Sequence, residues 1–104
     1  MGIKRYASPE AFIINEDPNG YRTATLDDVV IDIYAFAIIL WELIERKRPW
    51  GTEGIKYEMI RNAVMNGERP EISKENILSK TREISCMVSI IERAWNHVPS
   101  ERPR

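Results

Sequence analysis

The chain has 104 residues, 43% of them hydrophobic, with 15 basic and 16 acidic side chains and a formal net charge of -1. That is chain enough for one modest core, and its even charge balance gives no reason to expect nucleic acid or an anionic membrane as partner. Cys86 is the sole cysteine, which excludes an internal disulfide and a cysteine metal cluster and fits a reducing, intracellular, cytoplasmic setting.

In chain order, the first segment without periodicity is 15–25, which carries the turn signal Asp17-Pro18-Asn19-Gly20. Residues 29–44 follow as the dominant feature: Asp32 and Glu42 are their only charges, and 33–41 contain none. The uncharged stretch 33–41 is far short of the ~20 residues that span a bilayer, so no membrane insertion is expected. Its apolar side chains point in all directions at helical spacing, which predicts a helix enclosed on every side. Thr25-Leu26-Asp27-Asp28 resembles a capping box at its start. Arg46, Lys47 and Arg48 sit at the negative end of its dipole, and Pro49 stops the winding.

After an irregular 48–54, Ile55, Met59, Ile60, Ala63 and Val64 make an amphipathic stripe ended by Asn66-Gly67 as a left-handed cap. Residues 68–80 read as irregular. A second stripe, Ile84, Met87, Val88, Ile91 and Trp95, follows with Ser79 or Thr81 as its cap. The methionines are core filler and Phe36, Trp41, Trp50 and Trp95 core aromatics; His97, in a turn-like stretch, is expected to be exposed. No strand is evident, so the fold class is all-α. Two amphipathic helices cannot cover a central helix that is apolar all round. Self-association or partial disorder through the uncovered surface is therefore expected.

Five short motifs then stand in order: Arg5-Tyr6-Ala7-Ser8-Pro9-Glu10; 32–43, beginning Asp32-Ile33-Tyr34 and ending Trp41-Glu42-Leu43; Arg48-Pro49-Trp50; Gly67-Glu68-Arg69-Pro70-Glu71-Ile72; and Ala94-Trp95-Asn96-His97-Val98-Pro99-Ser100-Glu101-Arg102-Pro103. Together they resemble the C-terminal lobe of a protein kinase catalytic domain, from the Ala-Pro-Glu end of the activation segment to the stretch before the last helix, over residues 1–104. Gly-Glu-Arg-Pro and the Pro-Ser-Glu-Arg-Pro ending are similar to tyrosine kinases and the tyrosine-kinase-like group. Tyr6 is more like Ser/Thr kinases, which usually lack the Trp found there in tyrosine kinases.

The resemblance implies roles. Glu10 and Arg102 would form a buried ion pair tying the activation segment to the last turn. Asp32 would accept hydrogen bonds from the backbone of a catalytic loop. Gly2, Ile3, Lys4, Arg5, Tyr6, Ala7 and Ser8 would be the loop against which a protein substrate packs. Four positions depart from the family pattern: Ser8 replaces Ala, Ala37 replaces Gly, Ala94 replaces a common Cys, and Ile3 stands where Ser/Thr kinases commonly carry a Thr holding the catalytic Asp and Lys. The last departure tells against an active parent.

Phosphoryl transfer needs a Gly-rich loop over the phosphates, a strand lysine, a His-Arg-Asp catalytic loop and an Asp-Phe-Gly magnesium site. None of these motifs occurs in the 104 residues. The expectation is therefore a fragment with no catalytic, cofactor-binding or metal-binding residue of its own. The complete domain would move phosphate from Mg-ATP to protein Ser/Thr (or Tyr), with the remainder of the kinase domain as this chain's partner. The competing expectation is a non-catalytic helical interaction module, a pseudokinase remnant.

Overall fold

The computed structural model describes residues 5–15, 28–51 and 54–103. Five helices follow one another: α1 (Pro9–Asn15), α2 (Asp28–Glu45), α3 (Tyr57–Met65), α4 (Lys74–Ile77) and α5 (Arg82–Ala94), with a 3₁₀ turn at Pro99–Glu101. Among the described residues there is no strand. The predicted capping stretch 25–27 lies outside the described residues.

α2 is the long apolar run, and α5 packs along it. Ala37 and Trp41 of α2 meet Val88, Ile91 and Ala94 of α5 and Ile72 of the connection before α4. A second cluster joins Phe12 of α1 to Ile60 and Val64 of α3, with Ala7, Trp50 and Ile55 against it. Phe12, Ile60, Val64 and Ile91 are each at most 1% exposed, and full burial of such a side chain is worth ~1.5–3 kcal/mol. The Phe12 and Tyr57 rings meet edge to face at 5.6 Å.

α3 stops as its sequence predicts. Gly67 has φ +89°, its N–H donates to Val64 O and the Glu68 N–H donates to Ala63 O. This crossed pair of bonds is a Schellman motif, and the left-handed residue it requires is the glycine. α2 ends differently, on Arg46 at φ 56°, with the Arg46 N–H donating to Glu42 O. The tight turn that follows closes with Gly51 N–H to Arg48 O and holds Pro49 and then Trp50, at φ 69°. Pro favours the first central position of such a turn, but the second normally goes to glycine.

Three expectations are corrected. α2 is not enclosed on every side: Val30, Tyr34, Ala37, Ile38 and Trp41 are buried, while Val29, Phe36, Ile39 and Leu43 are 46–65% exposed. The other described elements lie along one side of it, so a stripe at spacings of seven, three and four residues stays open. Phe36 and Met59 are consequently surface residues and not core ones. The segment 68–80, read as irregular, holds a helix, and residues 9–15, given no element, hold another. Ser73 caps α4, its Oγ accepting from the Asn76 N–H at 3.3 Å. α1 starts in the same way, as described below. Thr81 stands at the N-cap of α5 without a side-chain capping bond; its own N–H donates to Ser79 Oγ. No helix among the described residues is long and apolar enough to cross a membrane.

Candidate functional site

Ser8, Pro9 and Glu10 open α1 by local rules. Ser8 is the N-cap, its Oγ accepting from the Ala11 N–H at 3.3 Å. Pro9 takes the first helical position, where its missing N–H costs nothing. Glu10 follows in the first turn, where a carboxylate is favoured by the helix dipole. The cap fixes the direction in which α1 leaves and so places Glu10 inside the protein.

Arg102 reaches it from the far end of the chain. Its Nη2 donates to Glu10 Oε1 at 2.9 Å and its Nη1 to Glu10 Oε2, a two-point pair. Nη1 also donates to Val30 O at 2.9 Å, and Nε donates to Asn96 O at 2.9 Å. The Arg102 side chain is 0% exposed and that of Glu10 10%. Burial pushes the Glu10 carboxyl up, but the hydrogen bond from Arg102, that from its own backbone N–H and the guanidinium charge outweigh it. The carboxyl titrates below its ordinary range.

Tyr34 of α2 lies beside this pair. The Arg102 guanidinium sits 5.2 Å and the Arg69 guanidinium 5.1 Å from its ring centroid, arrangements worth ~0.5–2 kcal/mol each when desolvated. Arg69 is itself held, its Nε donating to Trp95 O at 2.8 Å and its Nη1 to Glu68 O at 2.7 Å. The Tyr34 hydroxyl is buried without a hydrogen-bond partner among the described residues, and burial pushes its pKa up to about 12.

The expected substrate-loop residues divide. Gly2, Ile3 and Lys4 lie outside the described residues. Arg5 grips the turn after α2, Nε donating to Pro49 O at 3.2 Å and Nη2 to Gly51 O at 2.8 Å. The Tyr6 hydroxyl donates to Glu42 Oε1 at 2.8 Å, and that bond raises the Tyr6 pKa. Ala7 packs on the Phe12 cluster. Ser8 is spent on its cap. Asp32 is exposed on the open stripe of α2, between Val29 and Phe36. It makes no hydrogen bond or ion pair among the described residues, so within this chain it touches none of the groups above.

The structure thus joins Glu10 to Arg102 and leaves Asp32 apart. Reading the sequence missed Tyr34 and Arg69 as members of the site. Tyr34 looks like one more apolar residue of a long run, and nothing in the order of residues says that two cations converge on it. The Arg69 signal was its place in Gly67-Glu68-Arg69-Pro70, directly after a left-handed cap that turns the chain back.

Chemically, the described residues form a closed, hydrogen-bonded junction and not a reactive centre. The guanidinium and carboxylate neutralise each other, and the one unpartnered hydroxyl is held neutral.

No protein-family profile matches the chain. Curated relatives do. It is 37% identical over 73 residues, 69% of its length, to receptor-interacting serine/threonine-protein kinase 2 of Bos taurus. It is 35% identical over 103 residues, 99% of its length, to a probable LIM domain-containing serine/threonine-protein kinase of Dictyostelium discoideum. It is 39% identical over 72 residues to mitogen-activated protein kinase kinase kinase 7 of Bos taurus. The chain spans 13% of the length of each of the first two and 11% of the third. Over most of its length this helical chain is similar to a stretch of protein kinases, and that similarity supports its identification as a kinase-domain fragment.

Proposed function

We propose that residues 1–104 are the portion of a tyrosine-kinase-like catalytic domain between the end of the activation segment and the stretch before the last helix. The complete domain would transfer the terminal phosphate of Mg-ATP to Ser or Thr of a protein substrate, in the cytoplasm. The observation that carries this reading is the buried two-point pair between Glu10 and Arg102, in a chain similar to serine/threonine kinases over most of its length. Such a junction supplies no phosphate, metal or base site. It anchors the start of α1, and with it residues 5–8 of the loop where a substrate would pack, to the helical body. ATP binding and the catalytic loop belong to residues outside this chain, which alone is inactive.

The open stripe of α2 is where that remainder would seat. Asp32 stands on it with its carboxylate uncommitted, as a backbone anchor for a catalytic loop would require. In the isolated chain the same stripe promotes self-association.

The test is a paired assay with radiolabelled ATP and magnesium. The whole catalytic domain should label a generic Ser/Thr protein substrate, and the 104-residue chain should not. Transfer by the isolated chain would refute the division of labour. Failure of the whole domain would favour the second reading, a non-catalytic interaction module, to which Ile3 already lends support.

A further inference from the structure

Between the turn after α2 and the connection from α3 to α4 lies a cleft of about 730 Å³, within the range of ligand-binding pockets. Trp41 and the buried Pro70 supply apolar lining, and Trp50 adds its indole from the turn. Lys47, Arg48 and Lys74 stand exposed around it. Two further charged groups of the lining are already committed. Glu45 accepts from the Ser73 N–H at 2.9 Å and from Asn76 Nδ2 at 2.8 Å. Arg69 gives its guanidinium to backbone carbonyls. Among the described residues this leaves Arg48 and Lys74, with Lys47 beside the Glu45 carboxylate, against one further carboxylate, that of Glu71.

The walls are fixed before anything binds. Arg5 ties down Pro49 O and Gly51 O on one side. On the other, Trp41 Nε1 donates to Glu71 O at 2.9 Å, and Glu45 holds Ser73. A preorganised cleft loses little freedom on binding. Its turn also holds Trp50 at φ 69°, where glycine is the unstrained choice. That side chain also packs on the Phe12 cluster, which holds the indole where it borders the cleft.

We propose that this cleft docks an acidic segment of another protein through one large apolar side chain. The anchor would lie among Trp41, Trp50 and Pro70, and the flanking carboxylates would meet Lys47, Arg48 and Lys74. An apolar centre ringed by opposite charge is how short protein segments gain both affinity and specificity. The inference rests on the fold and does not depend on phosphoryl transfer.

The test titrates the isotopically labelled chain, followed by NMR, with a short synthetic peptide of Asp and Glu around one central Phe. Two twins replace the Phe by Ala or the acids by Lys. The acidic Phe peptide should shift the Trp41 and Trp50 indole signals and the backbone of 46–51 and 69–74. It should bind at least about tenfold more tightly than either twin. Lys47→Glu with Arg48→Glu, both surface changes, should remove at least about tenfold of that affinity while leaving the circular dichroism spectrum unchanged. No shifts at millimolar peptide would overturn the proposal, as would equal binding of the twins or shifts confined to Val29, Phe36, Ile39 and Leu43. Tighter binding of a single-stranded oligonucleotide or of phosphatidylserine vesicles at the same residues would overturn it too.

Discussion

Replacing Arg102 by Met keeps much of the side-chain volume and removes the guanidinium. Three acceptors lose a donor at once: the Glu10 carboxylate, Val30 O and Asn96 O. Because the Arg102 side chain is 0% exposed and that of Glu10 10%, water replaces little of what is lost. Breaking a pair of this kind costs ~3–5 kcal/mol, a large share of the ~5–15 kcal/mol that holds a domain together. With a urea m-value of about 2 kcal/mol/M, the unfolding midpoint should fall by about 1.5–2.5 M, followed by far-ultraviolet circular dichroism. Adding Glu10→Leu removes the stranded charge and should restore more than half of the loss. Val30 O keeps its bond within α2 and only Asn96 O stays unpaired, so the double variant should remain ~1 kcal/mol below the parent. The sign of the pH dependence follows from the depressed Glu10 pKa. The stabilisation is complete above the unfolded carboxyl's pKa and disappears as pH falls through the lower, folded value. In the Arg102→Met variant that loss should be absent. A midpoint shift under about 0.5 M, or a double variant worse than the single one, would refute the reasoning.

Tyr34→Phe deletes a hydroxyl that has no partner and should leave stability unchanged or raise it by up to ~1 kcal/mol, whereas Tyr34→Ala should cost ~3–5 kcal/mol; a clear loss on Tyr34→Phe in urea titration would mean the hydroxyl is bonded. Gly67→Ala meets no atom within 4 Å and loses only its φ of +89°, so thermal unfolding should report ~1–2 kcal/mol of destabilisation. Ile39→Glu with Leu43→Glu places charge on the open stripe and should shift the chain toward monomer in sedimentation velocity. A parent chain that is already monomeric, or an unchanged distribution, would refute association through this stripe.

Local signals were strong where the cause is local. The apolar run 29–44 became α2, and Asn66-Gly67 stopped α3 because no other residue takes φ +89° so cheaply. α1 and α4 were overlooked although Ser8-Pro9-Glu10 and Ser73-Lys74-Glu75 are sound helix starts. Both helices are short, and hydrophobic period says little over four to seven residues. Glu10 and Arg102 are 92 positions apart, and neither charge nor spacing pairs them; only the resemblance named both. Phe36 and Met59 went wrong for a related reason. Their hydrophobicity places them on a buried face, but burial also needs a neighbour, and no residue announces which side of a helix that neighbour takes.

The polar tethers of this fold bear on the same point. Tyr6 to Glu42, Trp41 to Glu71, Glu45 to Ser73 and Arg102 to Val30 each tie another segment to α2. Their positions on α2 are 30, 41, 42 and 45, none of which belongs to the exposed set 29, 32, 36, 39 and 43. Side chains of the exposed set are mostly large and apolar, so water is a poor partner for them. Asp32 is the one carboxylate among them, and it is bonded to nothing among the described residues. A helix that is pinned by directional bonds elsewhere and left apolar along one stripe offers that stripe as a surface for a neighbour. Hydrogen exchange offers a direct measure: amides of α2 should exchange more slowly when this chain forms part of a complete catalytic domain than when it stands alone. Equal protection in the two states would mean that the stripe stays open, and the kinase-domain reading would lose its account of α2.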